Sequence, residues 1–99
     1  MKNANPLKIR FFGILIDFMG LHELEMNLEK EITLQELVDQ LGERSNGKFK
    51  KLAINPNSGG FSDQVLVFLN GKDITRIEGL GLQVRNGDKL LFYQTSAGG

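Results

Sequence analysis

The sequence predicts an α+β fold, a small mixed sheet with one helix across one face, from three observations. Leu7, Ile9 and Phe11 alternate with Lys8, Arg10 and Phe12 near the start of the chain, the period of two that a strand with one buried face requires. Thr33 and Glu36 form a capping-box pattern ahead of Leu34, Leu37, Val38 and Leu41; the i, i+3, i+4, i+7 spacing gives one apolar helix face. Asn86-Gly87-Asp88 precedes the run Lys89–Gln94, a tight turn into a last strand. Strands before and after a short helix that cannot stand alone in water make a two-layer arrangement.

In chain order, residues 1–6 are polar and end in Pro6, so the start is expected to fray. The first strand spans roughly 7–14. Residues 15–21, with Gly20, break the alternation and read as a turn. Leu24, Met26 and Leu28 alternate with Glu23, Glu25 and Asn27; this second strand pairs with the first as an antiparallel hairpin. The helix covers 34–41, and Gly42 supplies its left-handed stop. Residues 42–63 are the loosest stretch, with Phe49 and Leu52 suggesting one helical turn inside it. A strand follows at 65–69, closed by Asn70-Gly71, then an irregular stretch over 72–81 and the last strand over 89–94. The sheet face toward the helix is expected to carry Leu7, Ile9, Phe11, Leu24, Met26, Leu28, Val65, Val67, Leu69, Leu90 and Phe92.

Composition narrows the function. At 99 residues the chain reads as one domain over 1–94 with a flexible tail over 95–99. It has no Cys and a single His, His22, which removes thiol catalysis, disulfides and thiolate metal sites and leaves a His-based metal site without partners. Twelve basic and twelve acidic residues cancel, which disfavours general nucleic-acid or membrane binding. No apolar run approaches the ~20 residues of a membrane span, and the N-terminus lacks a signal region. The expected setting is the cytoplasm.

Few motifs suggest chemistry. Gly59-Gly60 is followed by Phe61, and neither it nor Gly79-Leu80-Gly81 has the strand, helix N-terminus and Lys-Ser/Thr of a phosphate cradle. Glu23 and Glu25 share a strand face but read as solvated edge charges rather than an acid–base pair. His22 reads as a surface residue. Arg44, Lys48, Lys50 and Lys51 form a basic cluster read as a solvated loop, with an acidic partner surface as the alternative. No catalytic residue is assigned and no metal ligand. The end of the chain differs. Gly98 and Gly99 have no Cβ, so they can thread a narrow channel with an unhindered carboxylate. A carboxylate is a poor acyl donor until its oxygen becomes a leaving group, and this chain offers no nucleophile to help.

Ile9-Arg10-Phe11-Phe12-Gly13 followed by Gly20, the Asn70-Gly71 turn, Asn86-Gly87-Asp88 before an apolar last strand, and Ala97-Gly98-Gly99 at the end together resemble the MoaD/ThiS family. That family comprises ubiquitin-like β-grasp sulfur carriers and small archaeal modifier proteins, and the resemblance covers most of the chain. It implies a β-grasp fold with a four- to five-stranded sheet whose first and last strands are parallel neighbours. It implies a carrier, not an enzyme: a separate ubiquitin-activating-type enzyme, using ATP, adenylates Gly99, with Ala97 and Gly98 recognised in the tail. A thiocarboxylate then serves molybdopterin synthesis, through a molybdopterin-synthase large subunit, or tRNA thiolation; in the modifier branch target lysines attack instead. The sequence does not separate these uses, and an interaction module with an inert tail remains the other reading. No bound cofactor is expected.

The family's strand order adds one expectation. If Leu90 and Phe92 face the helix, then Leu91 and Tyr93 face away, and so do Phe12, Leu66 and Phe68. These five side chains form a predicted docking patch for a partner; the alternative is that the loop 42–63 folds over them.

Overall fold

The computed structural model describes residues 5–76 and 79–95. Its elements run β1 (Leu7–Phe12), α1 (Ile14–Met19), β2 (Glu23–Met26), β3 (Ile32–Thr33), α2 (Leu34–Arg44), α3 (Lys48–Ala53), β4 (Val65–Leu69), β5 (Lys72–Asp73), a 3-10 turn (Gly79–Gly81), β6 (Gln83–Val84) and β7 (Lys89–Gln94). The main sheet has the order β2-β1-β7-β4-β5. β1 and β7 are parallel, with Ile9 beside Leu90 and Phe11 beside Phe92; β2 and β4 pair antiparallel with β1 and β7. This is the predicted α+β sheet with its parallel first and last strands.

The core follows from strand alternation. Leu7, Ile9, Phe11, Val65, Val67, Leu90 and Phe92 are buried with Leu34, Leu37, Val38 and Leu41 of α2. Leu24, Met26, Leu28 and Leu69 pack partly buried at its margin. The Phe49 ring meets Phe92 and Phe11 edge-on at 5.1 and 6.0 Å, the geometry favoured by the aromatic quadrupole. The capping box forms as predicted: Thr33 Oγ1 accepts the Glu36 N–H, and Glu36 Oε1 accepts the Thr33 N–H.

Several boundaries need correction. The predicted turn at 15–21 is mostly α1, a helix held between Gly13 at φ 72° and Gly20 at φ 78°. Its single fully buried side chain is Leu15, too little for a helical pattern to emerge from the sequence. The first strand stops at Phe12 rather than 14. The second stops at Met26, and Leu28 leaves it: the Asn86 side chain donates to the Leu28 carbonyl and accepts its N–H, both at 2.9 Å, replacing a neighbouring strand.

The main helix does not stop at Gly42 but runs to Arg44. Gly42 is buried inside it, and a Cβ there would lie 3.1 Å from Lys50 Cβ. The glycine allows α3 to approach. The left-handed residues come later, at Asn46 and Gly47. The stretch 42–63 is accordingly less loose than expected. α3 occupies its middle, Ile54 bridges to Phe61, and Phe49, Ala53 and Phe61 join the core.

The region 72–81 is not wholly irregular. Lys72 and Asp73 add an edge strand, and the buried Thr75 Oγ1 accepts the Val67 N–H at 2.7 Å. A further pairing, Ile32 with Val84 and Thr33 with Gln83, was not predicted. No helix of the described residues is long and apolar enough to cross a membrane.

Candidate functional site

Alternation along β1, β7 and β4 puts a second set of side chains on the face turned from the helices. The register aligns Phe12 with Tyr93 and Tyr93 with Leu66, then Leu91 with Phe68. Phe12 and Tyr93 stack with ring centroids 4.4 Å apart, and Phe68 meets Tyr93 edge-on at 5.7 Å. All five side chains are half-buried. The predicted patch is therefore one contiguous group. The alternative that 42–63 folds over it does not hold for that stretch's large buried side chains, since Phe49 and Phe61 sit in the core on the helix side.

Cations border the aromatic group. The Arg10 guanidinium lies 5.7 Å from the Phe12 ring centroid, close enough for attraction to the ring face. Lys8 and Lys89 are neighbours across the parallel pair. Glu23 and Glu25 stand across the edge pairing from Arg10 and Lys8, and both are exposed, as solvated edge charges should be.

The root of the tail is fixed on two sides. Gln94 Oε1 accepts the Ile14 N–H at 3.0 Å. A Cβ on Gly13 would lie 2.6 Å from that same oxygen, so a glycine with positive φ is required where the side chain crosses. On the other side the Thr95 N–H donates to the Gln64 carbonyl at 3.0 Å, and Thr95 Oγ1 to the Asp63 carbonyl at 3.3 Å. Ala97, Gly98 and Gly99, predicted as the reacting tail, lie outside the described residues. Sequence reasoning missed Gln94. A glutamine closing a strand has no periodic signal; only Gly13, unexplained by strand propensity, pointed to a close approach.

The remaining candidates separate. His22 is exposed. The basic cluster sits on helices rather than in a solvated loop: Arg44 ends α2, and Lys48, Lys50 and Lys51 lie on α3. Lys50 Nζ pairs with Asp39 at 2.8 Å, and its hydrogen bond holds the Asp39 carboxyl below its ordinary pKa. The Asp73 carboxyl is likewise lowered, by the Thr75 backbone N–H and then its hydroxyl. Among the described residues no three His, Asp or Glu side chains converge as a metal site would need.

A mixed sheet with a parallel central pair of first and last strands and a main helix on one face defines a ubiquitin-like β-grasp protein. The chain belongs to the ThiS family, whose model matches residues 9–99. It is 31% identical over 77 residues to an Archaeoglobus fulgidus protein named as a candidate sulfur carrier, covering 78% of this chain and 84% of that one. Among the solved structures that share its fold are Urm1 and a small archaeal modifier protein. Urm1 from Trypanosoma brucei superposes with a TM-score of 0.75 at 22% identity, each chain covered completely. Small archaeal modifier protein 1 from Haloferax volcanii gives 0.70 at 18% identity, over 92% of this chain and 98% of that one.

Proposed function

We propose that this protein is a ubiquitin-like carrier whose Gly99 carboxylate is activated by a separate adenylating enzyme and then loaded with sulfur. The observation that carries this reading is the family match, which runs through Gly99; the relative named as a candidate sulfur carrier supports it.

The chemistry follows from the carboxylate. One of its oxygens attacks the α-phosphorus of ATP, pyrophosphate leaves, and the mixed anhydride makes AMP a good leaving group. Hydrosulfide then adds to the carbonyl, AMP departs with the former carboxylate oxygen, and loss of the sulfur-bound proton to solvent leaves a thiocarboxylate. The chain binds no nucleotide itself; ATP belongs to the activating enzyme. The aromatic group of Phe12, Leu66, Phe68, Leu91 and Tyr93 docks on that enzyme, and the Gln94 and Thr95 bonds set the direction in which Ala97, Gly98 and Gly99 enter its active site. The thiocarboxylate passes sulfur onward, to a molybdopterin-synthase large subunit or a tRNA-thiolation enzyme, in the cytoplasm. Conjugation is the second use of the same adenylate: a target lysine amine replaces sulfur and forms an isopeptide bond. Its support is the likeness in fold to a protein named a modifier.

Intact mass after incubation with ATP, a sulfide source and cell extract tests this. Exchange of one oxygen for one sulfur supports the carrier, covalent high-mass ladders support conjugation, and an unchanged mass with a folded protein overturns both.

A further inference from the structure

The helix side of the molecule holds a feature that the proposed function leaves unused. Between α1 and α3 runs an open groove of about 370 Å³ lined by Phe18, Leu52, Lys48, Lys51 and Gln64. α1 has five apolar side chains in six residues yet fully buries only Leu15. Phe18 and Leu52 are half-buried, and Ile14 is 41% exposed, the one exposed large hydrophobic among the described residues. Ile16, Phe18, Met19 and Leu52 pack partly buried against the core, and the part of Phe18 and Leu52 left uncovered faces the groove.

The groove is also charged on one side. Lys48 and Lys51, three residues apart on α3, share a helix face. Lys50 between them is neutralised by Asp39. Among the described residues neither Lys48 nor Lys51 has an ion-pair partner. The residues that line the groove thus include two cations and no carboxylate.

We propose that the α1–α3 groove docks an acidic amphipathic peptide segment of a partner protein. An apolar side chain of that segment seats between Phe18 and Leu52, and its carboxylates pair with Lys48 and Lys51. The shape decides against a small apolar ligand: an open groove cannot enclose most of such a molecule, as binding pockets do. The two cations, about one helical turn apart, match carboxylates on successive side chains better than a single headgroup. Gln64 lines the groove and its carbonyl holds Thr95. A segment bound here therefore lies beside the root of the tail, and one partner can hold groove and tail together, raising the effective concentration of each contact.

The test is an amide chemical-shift titration of the whole chain with acetyl-Glu-Leu-Phe-Asp-amide. Its controls are the same peptide with lysines in place of both acids, and decanoate. Saturable shifts confined to 14–18, 48–52 and Gln64 are expected, with affinity about tenfold weaker in the Lys48→Glu/Lys51→Glu variant and falling as salt rises. Both substitutions are at exposed positions, and a melt confirms that the variant folds. Four results overturn the proposal: no saturable shifts, equal binding of the lysine peptide, saturation by decanoate alone, or shifts centred on Phe68 and Tyr93. The first three leave the docking role of the aromatic face untouched, so the two readings fail independently.

Discussion

The two faces of the central three strands both carry large apolar side chains, but Lys8, Arg10 and Lys89 interrupt the outer one, and the two differ in burial. On the helix side Phe11, Val67, Leu90 and Phe92 are buried essentially completely. On the other side Phe12, Leu66, Phe68, Leu91 and Tyr93 remain half-exposed, although they are as large and stand one residue away along the same strands. The size of an apolar side chain does not by itself tell whether a sheet buries it. What separates them is the second layer: α2 and α3 cover one face, and the other has aromatic stacking within the sheet and no helix over it among the described residues.

Truncation should expose this difference most strongly. Phe92→Ala removes a ring that contacts both Phe11 and Phe49 and should cost about 3–5 kcal/mol. Leu37→Ala, at zero exposure on the buried face of α2, should cost about 2–5 kcal/mol. Denaturant melts measure both. Tyr93→Ala loses only stacking and partial burial, about 1–2 kcal/mol, while binding to an activating enzyme should fall by about 2 kcal/mol or more if Tyr93 is a central anchor. A stability loss equal to that of Phe92→Ala would erase the distinction between the faces.

Gly13→Ala sharpens the comparison at the edge where the faces meet. It forces a positive φ on alanine and drives a Cβ against Gln94 Oε1. A cost of about 1–3 kcal/mol is expected, and Gln94→Ala in the same chain should recover the steric part, a double-mutant cycle read by thermal melts. Deleting Gly98 and Gly99 should abolish sulfur loading with the melt unchanged, since the buried core of the described residues lies within 7–92. The smallest effect is acid sensitivity. The carboxyls of Asp39 and Asp73 have lowered pKa values, so each favours folding above the ordinary carboxylate pKa. That contribution is lost as pH falls through the lowered values. Asp73→Asn should flatten the acid end of the stability profile slightly.

The sheet was largely legible because its strands alternate cleanly; the two faces could be written down from Leu90, Leu91, Phe92 and Tyr93 alone. The start of α2 was legible because a capping box is a local chemical pattern. Its end was not, since Gly42 serves a contact with Lys50 that no local pattern encodes. α1 was missed because a six-residue helix covers too few turns to show a period. The pairing of Ile32 with Val84 joins distant two-residue segments, where periodicity has no meaning. In the candidate site the aromatic group followed from strand period and family topology. The Gln94–Ile14 bond depends on a meeting of residues from opposite ends of the chain.

The position of β7 has a consequence for timing. It lies between β1 and β4, so before it is in place the sheet exists only as two unconnected pairs, β2 with β1 and β4 with β5. During synthesis β7 emerges after the other strands of the sheet, and its pairing with β1 closes a loop of about eighty residues, a slow, non-local step. A chain released short of Gln94 lacks both the strand that unites the domain and everything beyond it. Under the proposed function Gly99 is made only after the strand that completes this sheet, so a product cut short within β7 lacks the residue that would be activated.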